Sequence, residues 1–283
     1  MQDETCVGRF VRYDCGPLAG RVIRAELHEF QKPDMGRKFA KRDRRPLDPP
    51  PVIRLRMFEL LNPGLPSEQE AELPAEYADT YTPIPFDIAA LTISSSDIDV
   101  SGLIAHIDLF PVPPPTEGQP APSFPPPPVS VDLGFLGPSA LSPRPSSPTG
   151  SVFGSSFVHA VHMDWRGEPV IFFVFSDVSV RQEGYFCLRY RFFDLFSRTA
   201  GSSDVPIAAE LYSGGFVVHS TKDFPGLQPS TPLTKHLSRW GVRVNLREGD
   251  RRRAAGDSSD DDDSRDRSAN SRKTLKNARP PTR

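Results

Sequence analysis

The 283-residue sequence is poor in cysteine, has no long apolar run and carries a formal net charge of only -2. Each shortage excludes a class of protein. Three cysteines (Cys6, Cys15, Cys187) are an odd number without metal-type spacing, which argues against a disulfide scaffold or a thiolate zinc site. They read as free thiols in a reducing compartment. No apolar run approaches the roughly 20 residues of a membrane span. The acidic start MQDETCVGRFVRYDCG has no apolar centre of the kind a secretory signal needs. With so little net charge, any site for a polyanion has to be local.

Catalytic signatures are missing too. No GxSxG, HExxH, P-loop or GxGxxG pattern occurs. His159 and His162 have metal-compatible spacing, but in a predicted strand such positions face opposite sides. Asp97 and Asp99 sit in a Ser-rich stretch and read as solvated turn residues. Cys187, beside Phe186, reads as a core thiol rather than a nucleophile. No catalytic residue, metal ligand or cofactor is assigned, and an enzyme is the weakest reading.

Proline, by contrast, is abundant at 32 residues, and it clusters. About a third of residues 111–150 is proline, which removes backbone donors and favours extended polyproline II. That stretch reads as an excursion from a domain spanning 21–247, either a plain linker or a docking segment for SH3 or WW modules. Residues 1–20 read as a loosely ordered lead-in. The polar, charged stretch 248–283 reads as a disordered tail.

Within the domain the signals are almost all of strands. They occur at 21–30, 52–60, 86–94, 101–110, 152–163, 170–180, 185–195, 207–213 and 215–220. In the segment 185–195, Leu188, Tyr190 and Phe192 alternate with Arg189 and Arg191, the period of a half-buried strand. One helix is well marked: Thr231 as N-cap, Pro232 at the first position, and Gly241 at the C-terminal end. VRVNLR at 242–247 reads as a closing strand. The fold expected is therefore all-β, a β-sandwich with one helix near the end of the domain.

The segment MGRKFAKRDRRPLDPPP at 35–51 is strongly basic, with Arg37, Lys38, Lys41, Arg42, Arg44 and Arg45 against Asp43 and Asp48. No helical or strand period organises these charges, so they are expected on a loop. A solvated loop or a nuclear import signal would have this composition; so would a surface that holds DNA phosphates and reads guanine edges.

Three motifs occur in order: DRRPLDPPPVIRLR, FFVFSDVSVRQEGYFCLRYRFFDL at 172–195, and FPGLQPSTPLTKHLSRWGVRVNLR at 224–247. Together they resemble the velvet domain of fungal developmental regulators. The phrase STPLTKHL and the insert at 111–150 are most similar to the velvet B subfamily, with the spore-viability regulators close behind. The resemblance implies an immunoglobulin-like sandwich related to the Rel homology domain. It implies promoter DNA as ligand and other velvet proteins as homo- or heterodimer partners. It also implies control of sporulation and secondary metabolism, in nucleus and cytoplasm. Carried over by position, the DNA-contacting cations are Arg44 and Arg45, with Lys41 and Arg42 upstream and Lys38 beyond them. An adaptor that binds velvet partners and a nuclear methyltransferase-like regulator, with little DNA affinity of its own, is the alternative.

Overall fold

The computed structural model describes residues 6–41, 44–75, 98, 100–115 and 152–247. All belong to a unit spanning Met1–Gly249. The expected strand at 86–94, Asp97, Asp99, Arg42, most of the Pro-rich insert and the tail lie outside these residues.

Fifteen strands, one α-helix and a short 3-10 turn at Val100–Gly102 form among the described residues. One sheet holds β1 (Val11–Cys15), β2 (Val22–Gln31), β4 (Val52–Leu61), β5 (Gln69–Glu72), β9 (Val161–Trp165), β10 (Glu168–Val174) and β13 (Arg198–Thr199). Its order is β13-β1-β2-β4-β10-β9, with β5 also beside β4. The second sheet runs β3 (Met35–Arg37), β15 (Phe216–His219), β12 (Gly184–Asp194), β6 (Leu103–Pro111) and β8 (Phe157–His159), and β14 (Ala209–Tyr212) also pairs β12. A short pair, β7 (Val152–Phe153) with β11 (Ser179–Val180), stands apart.

Alternation explains how the sheets pack. Ile23, Ala25 and Leu27 of β2 and Ile53, Leu55 and Met57 of β4 turn inward. They meet Leu103, Ala105, Ile107 and Leu109 of β6 and Leu188, Tyr190 and Phe192 of β12 in one buried cluster. Rings interdigitate between the layers, Phe173 on Phe192 at 5.8 Å and Phe175 on Tyr190 at 5.5 Å between centroids. This is a sandwich of two inward faces, as the period-2 pattern predicted.

The outer face of the first sheet is covered by α1 (Pro232–Arg239). Leu233 and Leu237 pack there on Val52, Met163, Val170, Phe172 and Val174. The helix starts as expected, with the Thr231 hydroxyl accepting the Thr234 N–H at 3.0 Å. It ends in a Schellman turn: Gly241 has φ +83°, its N–H reaches the Ser238 carbonyl, and the Val242 N–H reaches that of Leu237. Among the described residues no helix is long and apolar enough to cross a membrane.

Three local expectations fail. Residues 11–15 are not a loose lead-in but β1, paired on both sides, with Tyr13 and Leu18 in the core. The segments 152–163 and 170–180 are each broken by turns into separate short strands. VRVNLR at 242–247 forms no strand. Val242 and Val244 instead extend the packing under the helix, and the Arg247 N–H bonds the Ser230 hydroxyl at 2.9 Å.

Candidate nucleic-acid interface

The basic segment spans the gap between the two sheets. The chain leaves the first sheet at Gln31, enters the second as β3, and returns to the first at Val52. Its base is closed by reciprocal bonds: the Asp48 N–H to the Met35 carbonyl at 2.9 Å, and the Met35 N–H to the Asp48 carbonyl at 3.0 Å. Gly36 in β3 lets two side chains close over the strand: a Cβ there would lie 2.8 Å from Leu47 Cδ2 and 3.2 Å from Val218 Cγ2, so both would have to shift. The cations between are strung along backbone partners. The Lys38 N–H donates to the His219 carbonyl, that of Phe39 to Val180, and that of Leu47 to Val178. The Ser179 hydroxyl donates to the Arg45 carbonyl at 3.0 Å.

The side chains divide by what they touch. Arg44 is committed inside the chain: its guanidinium pairs with the Asp177 carboxylate at 2.5 Å, donates to the Asp177 carbonyl at 2.9 Å, and lies 4.6 Å over the Phe153 ring. Both polar contacts use Nη2 alone, and Arg44 stays exposed at the end of the basic segment. Arg45 is half-buried, with its guanidinium 5.9 Å from the Phe224 ring, as is that of Arg37 in β3. Lys38 is exposed, 3.9 Å from Glu183. Lys41 is exposed, and Arg42 lies outside the described residues.

Behind the loop is a cleft of about 290 Å³ lined by Arg44, Arg45, Asp48, Ser176, Asn245 and Arg247. Asp48 is buried, which pushes its carboxyl above the usual range, while the neighbouring Arg247 guanidinium opposes that shift. Arg247 pairs with the Asp48 carboxylate and donates to the Gln228 carbonyl at 3.0 Å. The cleft is thus walled by three arginines, and its one carboxylate is already engaged.

The sequence reading did not single out Arg181 or Arg247. Arg181 follows β11 directly and sits 5.5 Å from Phe153 and 6.0 Å from Phe39, whose rings stack at 4.4 Å. No local pattern marks it, because its partners are about 28 and 142 positions away in the chain.

Elsewhere, His159 and His162 fall on different strands, and the His162 ring contacts the Ala75 carbonyl. Among the described residues no group of three or more His, Cys, Asp or Glu could hold a metal ion. Cys187 is buried in β12 and its thiol is pushed up to about 11, as a core position dictates.

Comparison with known proteins places this architecture. Residues 25–251 match the family model described as Velvet factor. The chain belongs to the velvet family. A protein of Schizophyllum commune named "Probable velvet family sexual development regulator" is 41% identical, over 91% of this chain and 86% of the relative. One of the same description from Laccaria bicolor is 39% identical, over 87% of this chain and 76% of the relative. "Velvet complex subunit 2" of Gibberella moniliformis is 35% identical over a shorter stretch, 38% of this chain and 26% of that protein. The likeness to this velvet complex protein therefore covers less of the chain than the likeness to the sexual development regulators.

Proposed function

We propose that this chain is a DNA-binding transcriptional regulator of fungal development, sporulation and secondary metabolism, working in nucleus and cytoplasm as a homo- or heterodimer with other velvet proteins. The observation that supports DNA binding is the bridge between the sheets. It starts from the edge strand β3 and carries Arg37, Lys38, Lys41, Arg44 and Arg45, tied down by bonds of Lys38, Phe39, Arg45 and Leu47, with Arg181 and Arg247 near it. Fixed cations on one edge suit the regular phosphates of a duplex, where each neutralised phosphate releases counterions. Lys38, Lys41, Arg42, Arg44 and Arg45 are the contacts assigned to DNA, with Arg44 also tied through Nη2 to Asp177. A velvet partner follows from relatives named as members of velvet complexes.

A second reading, an adaptor of velvet proteins and a nuclear methyltransferase-like regulator, draws support from a specific observation. Arg44, Lys38 and Arg247 already face carboxylates within the chain, which lowers the charge left for DNA. Fluorescence-anisotropy titration of promoter DNA, with the protein alone and with a velvet partner, separates the two. Salt-dependent binding by the protein alone supports the DNA-binding reading; binding only in the partner's presence supports the adaptor.

A further inference from the structure

We propose that Arg181, on the turn between β11 and β12, is a phosphodiester-binding residue, and that with Lys38 it forms a second wall of the nucleic-acid surface. The proposal rests on the DNA-binding reading above. It starts from the geometry of the Phe39–Phe153 stack, whose rings lie 24° from parallel. The Arg181 guanidinium lies beside this pair, 5.5 Å from the Phe153 centroid and 6.0 Å from that of Phe39, and Arg44 lies 4.6 Å over Phe153. A ring attracts the face of a guanidinium, while the N–H donors point outward in its plane. Contact with the two rings therefore holds Arg181 without consuming its donors.

The two arginines then differ in what they have left to offer. Arg44 has its Nη2 engaged by the Asp177 carboxylate and carbonyl. Arg181 is exposed, and among the described residues no hydrogen bond or ion pair engages its guanidinium. The nearest acid along its turn, Glu183, faces Lys38 instead. The bond from the Phe39 N–H to the Val180 carbonyl at 2.7 Å keeps the basic segment against this turn. An exposed arginine held against two rings with its donors free, on the turn whose Glu183 meets Lys38, fits the planar, bidentate geometry of a phosphodiester. Simple gluing of the loop would instead use Arg181 as it uses Arg44, with its donors turned onto protein oxygens.

The test is anisotropy titration of a fluorescein-labelled mixed-sequence DNA duplex across a salt series. The full chain is compared with R181A, R181K and, as a control on another exposed arginine, R166A. R181A is expected to flatten the slope of log affinity against log salt by about 0.9, close to tenfold weaker binding at about 0.1 M salt. R181K is expected to keep the slope and R166A to match the parent. If R181A lowers the melting temperature, R181Q, which keeps an aliphatic stem on the rings, takes its place. An unchanged slope in folded R181A or R181Q overturns the proposal while leaving DNA binding by the chain intact. Equal losses in R181K and R181A also overturn it, by showing that stacking rather than charge matters. A parent chain that fails to bind DNA at low salt overturns the DNA-binding reading itself, and this proposal with it.

Discussion

Replacing Asp108 by alanine is expected to be the most damaging single change on the outer face of the second sheet. Its carboxylate, only 3% exposed, stands opposite Arg189 across the β6–β12 register. One oxygen accepts from Arg189 at 2.8 and 3.2 Å and from Arg191 at 2.8 Å, with the His106 ring at 3.6 Å. Removing one partner of a buried ion pair costs about 3–5 kcal/mol, because the other charge stays desolvated. Two features reduce that figure here. The guanidiniums are 22% and 23% exposed, and Arg189 keeps Glu210 at 3.8 Å. About 2–3 kcal/mol is therefore expected, a fall in melting temperature of roughly 5–10 °C for a domain of this size. Scanning calorimetry at neutral pH reads it. The triple replacement D108L/R189M/R191M should recover most of the loss, since apolar groups of similar volume carry no desolvated charge. A shift in D108A below about 2 °C would show that water, not Asp108, solvates the arginines, and would refute the reasoning.

Three further outcomes are expected. Leu237→Ala empties a fully buried site between α1 and the first sheet; it should cost about 2–5 kcal/mol in urea denaturation. Burial first, and the Arg191 and Arg189 charges after it, hold His106 below its ordinary value of 6.5, against the pull of Asp108. The unfolded chain then takes up the proton first, so stability is full above about pH 6.5 and falls as pH drops below it. His106→Gln should shrink that loss, read from melting temperatures between about pH 7 and 5. A Gly/Ser replacement of residues 116–150 should leave the melting temperature nearly unchanged, because closure cost grows slowly with loop length. Extending the replacement through Phe153 should lower it, as that ring stacks on Phe39 under Arg44.

Much of the fold was legible because most of its long strands are half-buried. Leu188, Tyr190 and Phe192 show the period directly, and Thr231, Pro232 and Gly241 mark the helix ends through short-range bonds. β1 was not legible: in Val11–Cys15 only Tyr13 is buried, so no alternation announces it. Nor was the loss of the strand at 242–247, since the helix it packs under sets that outcome. The site was half-legible. Charge density located the segment at 35–51, but a string of cations does not tell a committed arginine from an available one. Arg44 meets Asp177 133 positions away. Such pairings belong to the tertiary fold and leave no mark on local sequence.

The strap between the sheets also bears on the thermodynamics of whatever polyanion settles on it. Its backbone is tied to strands of the core before any ligand arrives, and its arginines rest on Phe153 and Phe224. At the positions so held, little rotational freedom is left for a ligand to quench, so that part of the ordering entropy a flexible basic tail surrenders on binding has been spent during folding. Association should then draw on counterion release with little loop-ordering penalty, and core substitutions that loosen the sheets should weaken binding without touching a single cation.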